Sequence, residues 1–448
     1  MPQPPHTPGS ASESHSESHS ESAYDRRRLR QWLAGDARAD GVARRDMLRL
    51  LAAAGLTTTL PTAFGAPTAA AAPTAAATST SVTPSATVPG IVKPLPDDWF
   101  TARGTNAETK FASLAGTGYH TPNDHFFVRN HTSTPVLDAK AWTLTLWGDG
   151  LAREEPVEFT LADLKRLPAT TRTAFVECAG NGRSFFTTQQ GQTVSGTAWT
   201  LGAIGTARWK GVRLAEVLRR AGLTDRAVDV LPRGLDAEYI TADGTNLGHV
   251  RRPLPLSKAL DDVLLAYEMN GEPLPVDHGY PVRVLVPSWV GIASIKWVGD
   301  IEVSAQPLYS PWNIDFYRLF GAAYPDGGSA PLTRQTLKSA FELAWNASLP
   351  VGADHRLTGR SWSGAGGVRR VDVSTDGGTS WRRARLYDAP SRAGWVRWST
   401  DWRPRTPGTY TLLARATDTT GRTQPETTVL NTQGYLFDAV VRHPVQVS

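Results

Sequence analysis

Phe175-Val176-Glu177-Cys178-Ala179-Gly180-Asn181-Gly182-Arg183-Ser184 is the stretch on which the reading turns. An apolar run suited to a strand ends at the only cysteine of the chain, and a Gly/Asn turn then leads to an arginine. A thiol beside free backbone N–H groups and a guanidinium is more stable as thiolate, the form that binds metal or attacks carbon. Three readings follow from these residues alone. The cysteine is a small buried hydrophobe, a nucleophile served by a distant histidine base, or a soft ligand to a redox metal. A disulfide within the chain is excluded, because one cysteine has no partner.

Working outward, 448 residues exceed the usual size of one hydrophobic core, so a leader and two folded units are expected. The apolar share of 40% suffices for globular folding, and 47 Lys and Arg against 42 Asp and Glu leave a net charge of only +5. That balance, without zinc-finger spacing, a single-strand RNA signature or a long basic run in the folded part, argues against nucleic acid as a partner. Residues 1–72 divide into a polar SESHSESHSES tail, expected to be disordered, and a twin-arginine-like export signal built on Arg44-Arg45 and the short apolar stretch after it. That stretch is too short and interrupted to be a permanent membrane span. The expectation is an exported, periplasmic or extracytoplasmic protein, with residues 73–95 an Ala/Pro/Thr-rich linker.

Residues 96–325 read as an α+β unit. Apolar spacing predicts short amphipathic helices over 161–167 and 212–223, and buried strands over 282–286 and 301–303. Residues 326–448 alternate in short strands, at 371–374, 381–386, 395–398 and 409–416, with a turn at Asp376-Gly377-Gly378. This pattern predicts an all-β immunoglobulin-like sandwich without the inter-sheet disulfide. Some of its tryptophans, Trp345, Trp362, Trp381, Trp395, Trp398 and Trp402, must be core residues.

Four ordered blocks resemble the sulfite oxidase family of molybdenum-cofactor oxidoreductases: FFVRNH at 126–131, CAGNGRS at 178–184, WTLGAIGTARWKGVRL at 199–214 and LLAYEMNGEPLPVDHGYPVRVLVP at 264–287. The resemblance implies that the first unit has the family's α+β molybdenum-cofactor fold and that the sandwich is its dimerisation domain. It also implies Mo-molybdopterin as cofactor, with Cys178 the protein's thiolate on the metal and the pterin dithiolene giving the other two sulfurs. By the same resemblance Arg129 and Arg183 bind substrate, Trp199 walls the pocket, and Tyr317 is the active-site tyrosine. The implied pterin contacts are Phe127, Val128, Arg129, Asn130, His131, Arg208, Asp236, His278, Arg283, Ser294, Ile295 and Lys296, many of them suited to an anionic, hydrogen-bonding group.

The expected reaction is oxidation of a small sulfur oxyanion, sulfite to sulfate. Electrons would pass singly to an external acceptor such as a cytochrome, since no CxxCH haem motif occurs in the sequence. At one point the chain leaves the family pattern: Asn431-Thr432-Gln433-Gly434 stands where better-known members carry Asn-Leu-Arg-Gly. A neutral amide there leaves open a sulfane dehydrogenase or another sulfur-compound oxidoreductase on the same cofactor. A non-catalytic exported binding protein is the reading from a different class, opposed by the intact Cys178, Arg129 and Arg183.

Overall fold

A computed structural model describes residues 90–448. The leader and the linker up to residue 89 lie outside the described residues, and with them the export signal. No helix among the described residues is long and apolar enough to cross a membrane.

The first half carries twelve strands: β1 (Phe100–Arg103), β2 (Asn106–Thr109), β3 (Thr143–Trp147), β4 (Val157–Thr160), β5 (Ala169–Glu177), β6 (Ile204–Arg213), β7 (Asp229–Gly234), β8 (Leu254–Pro255), β9 (Leu264–Met269), β10 (Glu272–Pro273), β11 (Arg283–Leu285) and β12 (Val298–Ser304). Between them run the helices α1 (Leu161–Arg166), α2 (Ser184–Thr188), α3 (Leu214–Ala221) and α4 (Leu256–Asp261), and α5 (Pro311–Ile314) follows β12. One sheet has the order β10-β9-β6-β5, with β11 also paired to β9, and a second has the order β4-β3-β12-β7-β8. A single core joins them, with Val212, Leu265 and Val284 from the first sheet and Leu144, Val230 and Ile301 from the second. Each such side chain taken out of water stabilises the fold by about 1.5–3 kcal/mol.

Local chemistry explains where the helices start and stop. Thr160 caps α1 reciprocally: its hydroxyl accepts from the Asp163 N–H at 3.1 Å, and the Asp163 carboxylate accepts from the Thr160 N–H at 2.8 Å. In α3, Leu214, Val217, Leu218 and Ala221 recur on one buried face, and Gly222 ends the helix with φ of 92°. The helix expected from residue 212 begins at 214 instead. Val212 and Arg213 belong to β6, where Val212 pairs with Ala169 on one side and Leu265 on the other.

The second half is all β: β13 (Lys338–Phe341), β14 (Ala347–Leu349), β15 (His355–Trp362), β16 (Val368–Ser374), β17 (Arg382–Arg383), β18 (Arg385–Leu386), β19 (Trp395–Trp402), β20 (Gly408–Asp418) and β21 (His443–Val447). Two sheets, β13-β15-β19-β18 and β14-β21-β20-β16-β17, face each other as a sandwich. Phe341, Leu357, Val396 and Trp398 from one sheet meet Val371, Val373, Leu412 and Val445 from the other. Trp362, Trp395 and Trp398 are buried, whereas Trp345 is 40% exposed. Gly359 is required by that packing, since a Cβ there would come within 2.2 Å of the Trp398 ring.

The two halves are sewn together where the first sheet ends. Between β20 and β21 the chain returns to the first half: the Leu436 N–H donates to the Ala179 carbonyl at 2.8 Å, and Phe437 packs on Phe185 and Phe186. Residues 431–437 thus lie beside the turn that follows β5.

Candidate active site

Cys178 is the first residue beyond β5. Its N–H donates to the Ala203 carbonyl at 2.9 Å and its carbonyl accepts from the Asn181 N–H at 2.9 Å, so the strand breaks into a tight turn directly behind the thiol. Cys178 is 8% exposed and lines two cavities. One is a narrow slot and the other a wider chamber of about 540 Å³.

Arg183 is folded back over this turn. Its Nε–H donates to the Gln433 carbonyl at 2.9 Å and its Nη1–H to the Thr197 carbonyl at 2.8 Å. The room for it is made by glycines. A Cβ on Gly180 would stand 2.5 Å from the guanidinium, and one on Gly434 would stand 2.7 Å from Arg183 Cγ. The cation also lies 5.2 Å from the Tyr435 ring centroid. Arg129 lines both cavities, and its Nη1–H donates to the Asn130 carbonyl. Burial pulls its pKa down, but the Tyr317 phenol, the Cys178 thiol and further phenols raise it by more, so it stays charged.

Tyr317 sits at φ of 56°, an unfavourable region for a residue with a Cβ, and stacks on Tyr435 at 5.2 Å between centroids. Burial, with Arg129 opposing, raises its pKa, so the phenol keeps its proton and remains a donor. Trp199 is buried in the chamber wall, edge-on to Phe127, and its indole N–H has no acceptor among the described residues.

The slot gathers Phe127, Arg129, His131, Asp236, His278, Arg283, Ser294, Ile295 and Lys296 around Cys178. Arg283 donates to the carbonyls of His278 at 3.0 Å and Ser294 at 2.9 Å and lies 5.1 Å from the Trp209 ring, while burial lowers its pKa to about 9. Lys296 donates to the side chain of Asn130 and, at 2.9 Å, to the Asp277 carbonyl; burial and then Arg283 push its pKa far down. Burial is also the first cause holding both His131 and His278 well below the usual imidazole value, with the neighbouring cations adding to it. Neutral His131 accepts from the Trp312 indole N–H at 3.2 Å, and His278 Nε2 has no hydrogen-bond partner among the described residues. Asp236 accepts from Thr132 at 3.2 Å, and its carboxyl is raised by burial.

Three expected contacts stand apart from the slot. Val128 is committed to a bridge with Ala107 and packs into a small separate core. Asn130 is buried behind the slot and reaches it through Lys296. Arg208 is exposed on β6, because strand alternation turns its neighbours Ala207 and Trp209 into the core and leaves it facing solvent. Sequence reasoning missed Tyr239, Trp312, Asp315, Phe316, Phe320 and Tyr435 in the chamber, and Asp277 in the slot.

The slot suits an anionic, hydrogen-bonding cofactor by its chemistry. Buried cations repel one another there, and an imidazole nitrogen lacks a partner, so a bound anion would relieve both. Among the described residues no group of three or more His, Cys, Asp and Glu is placed to hold a metal ion, so a metal at Cys178 would take its other ligands from that cofactor. Cys178, in both cavities, would carry the metal at their junction.

Comparisons with known proteins place the two halves in a family. Residues 131–312 match the oxidoreductase molybdopterin binding domain, and residues 344–448 match the Mo-co oxidoreductase dimerisation domain. The chain is 36% identical to sulfite oxidase of Gallus gallus, over 75% of this chain and 74% of that one, and 30% identical to sulfite oxidase of Arabidopsis thaliana, over 74% and 89%. It is 37% identical to mitochondrial sulfite oxidase of Homo sapiens over 77% of this chain, but spans only 65% of that protein's length, and 64% for the Mus musculus protein. Among solved structures, the sulfane dehydrogenase SoxCD from Paracoccus pantotrophus is similar, with a TM-score of 0.65, 29% identity and coverage of 76% of this chain and 84% of that one. With its two domains and the slot around Cys178 described, the chain belongs to the sulfite oxidase family of molybdopterin-binding oxidoreductases.

Proposed function

We propose that the chain oxidises a small sulfur compound at a Mo-molybdopterin held in the slot and passes the electrons one at a time to an external acceptor, a cytochrome being the class that fits. The observation that carries the reading is the placement of Cys178, whose residue lines the cofactor slot on one side and a chamber with two arginines on the other. When bound, the cofactor supplies a metal centre able to take two electrons and deliver oxygen to sulfur.

The chain's own residues bind and orient the reactant. Arg129 and Arg183 offer fixed cationic donors to an anion, and Arg183 is held by two carbonyls, so it pays no ordering entropy when substrate arrives. Tyr317, protonated and fixed by its stack on Tyr435, can donate to a substrate oxygen beside the thiol. Trp199, Trp312 and Phe316 wall the chamber and limit water there.

Sulfite is the first substrate to test; purified protein is assayed for molybdenum and for sulfite-dependent reduction of ferricyanide. Metal-loaded protein for which none of the sulfur compounds supplied drives ferricyanide reduction would overturn the reading. A sulfane dehydrogenase activity is the second reading, favoured by Gln433 in the chamber wall and by the likeness to SoxCD. We further propose that the sandwich mediates a homodimer and that the protein works outside the cytoplasm; the support for export is the Arg44-Arg45 signal in the sequence.

A further inference from the structure

The chamber is larger and more apolar than a four-atom oxyanion requires. Its volume of about 540 Å³ falls among pockets that enclose whole organic ligands. Sulfite displaces the volume of only a few waters. Besides the two arginines and several polar groups, the lining includes Val194, Trp312, Ile314, Phe316 and Phe320, side chains with a hydrocarbon or aromatic surface to cover.

Two acceptors in the same lining have nothing to accept. Asp315 Oδ1 and Gln433 Oε1 are both buried, and neither finds a donor among the described residues. The orientation of the Gln433 amide is fixed, because its nitrogen donates to the Asp315 carbonyl at 2.9 Å and a flip would set two acceptors against each other. A buried acceptor without a donor is unfavourable, so these atoms call for a ligand that brings N–H or O–H groups. Burial raises the Asp315 carboxyl to about 6, so at neutral pH it is largely ionised and favours a cationic donor.

Gln433 also sets the distance between the two demands. Its backbone carbonyl accepts from Arg183 while its side chain meets Asp315, so anion-binding and donor-seeking groups lie one residue's reach apart. A ligand that satisfies both has a short spacer.

We propose that the substrate of this site is a short organic sulfur oxyanion bearing a hydrogen-bond donor, of which an aminoalkyl sulfinate is the best match. The proposal rests on the sulfur-oxidising reading above. One oxygen from water is added to the sulfinate sulfur, giving the sulfonate. The two O–H bonds of that water break, two protons are released, and the two electrons lost by sulfur go to two equivalents of a one-electron acceptor such as ferricyanide. The sulfinate oxygens face Arg129 and Arg183, and the ammonium meets Asp315 and Gln433.

The test separates binding from turnover. Purified cofactor-loaded protein is titrated calorimetrically with the product-like anions 2-aminoethanesulfonate, ethanesulfonate and sulfate. The amine-bearing anion is expected to bind about tenfold or more tightly than ethanesulfonate, the effect of one charged hydrogen bond in a buried site. That advantage, read as the ratio of the two affinities, should shrink in Asp315→Asn and in Gln433→Leu, whichever way ethanesulfonate affinity itself moves. Equal affinities in the parent protein, or an advantage untouched in both variants, would overturn the proposal. With ferricyanide as acceptor, kcat/KM should be higher for 2-aminoethanesulfinate than for ethanesulfinate or sulfite, and a preference for sulfite over both sulfinates would overturn it as well. Molybdenum content and sulfite-driven ferricyanide reduction in the same preparation judge the sulfur-oxidising reading separately.

Discussion

The Glu177 carboxylate and the Lys338 ammonium meet at 2.7 Å across the seam between the two halves, with side-chain exposures of 0% and 2%. Glu177 is the residue before Cys178, and it is held further by the Asn181 side chain, which donates at 2.9 Å, and by Gln335, which donates to its backbone carbonyl at 2.6 Å. Burial raises the Glu177 carboxyl and Lys338 opposes that shift, so removing the lysine leaves an unpaired buried acid. Breaking one partner of such a pair costs about 3–5 kcal/mol, whereas replacing both with neutral groups is far milder. Lys338→Met should therefore lower the thermal midpoint sharply, and Glu177→Gln with Lys338→Met should recover most of the loss. A midpoint in Lys338→Met equal to the parent's would contradict the pair's role.

Cys178→Ser should leave the fold largely intact, since the residue's backbone hydrogen bonds do not involve sulfur. The variant should lose turnover, because a hydroxyl is a poor substitute for a soft thiolate on this metal. Parent protein should contain about one molybdenum per chain if each slot is filled. Circular dichroism, metal analysis and turnover on the same samples check this, and a fully active serine variant would sink the ligand assignment.

Much of this architecture could be read from the sequence, for reasons that differ by element. Helix α3 and the strands of the sandwich announce themselves by apolar period, and the turn at Asp376-Gly377-Gly378 by residue type. The residues around Cys178 were legible because they lie in contiguous motifs. Arg208 sits in such a motif too, but the two-residue period of β6 turns it outward. Tyr435 and Lys338 come to the site from the second half of the chain, and no local pattern announces a contact across more than 150 residues; Gln433 comes from there too, but the departure from the family pattern marks it. Asp315 and Phe316 directly precede the strained Tyr317, and only the packed chamber shows that they share its wall.

Acid should weaken the sandwich through His443. Its ring is buried at the start of β21, stacked on Trp345 at 4.4 Å, and burial lowers its pKa to about 4 despite a hydrogen bond to the Ala344 carbonyl. The unfolded chain, with an imidazole near 6.5, takes up its proton first as pH falls. Stability is thus full above about 6.5 and declines between about 6.5 and 4, by at most about 3 kcal/mol. Urea midpoints of the parent and of His443→Phe, measured from pH 7.5 to 4, should diverge over that window, with the variant the less pH-sensitive. Parallel curves would reject the assignment.

The homodimer proposed for the sandwich half should appear in sedimentation at micromolar concentration. Trp345, 40% exposed on the sandwich, offers a place to probe it. Monomer alone across the concentration series would remove the dimer from the picture.

Gln433→Arg tests what the neutral amide does. The residue lines the chamber, its carbonyl is already tied to Arg183, and its side chain replaces the cation that the family pattern leads one to expect. A charged hydrogen bond to an oxyanion is worth about 1.5–3 kcal/mol, so a third cation should lower the Michaelis constant for sulfite about tenfold to a hundredfold. Asp315 in the same wall would pair with part of that new charge, which sets the expectation at the lower end. For an amine-bearing sulfinate the sign reverses, because the guanidinium takes the acceptor the ammonium needs and repels it. Both kinetic constants should be compared for the two proteins on sulfite and on 2-aminoethanesulfinate, at fixed pH and low salt. Unchanged constants on both substrates would mean that Gln433 touches neither, and the chamber would then not be where substrate binds.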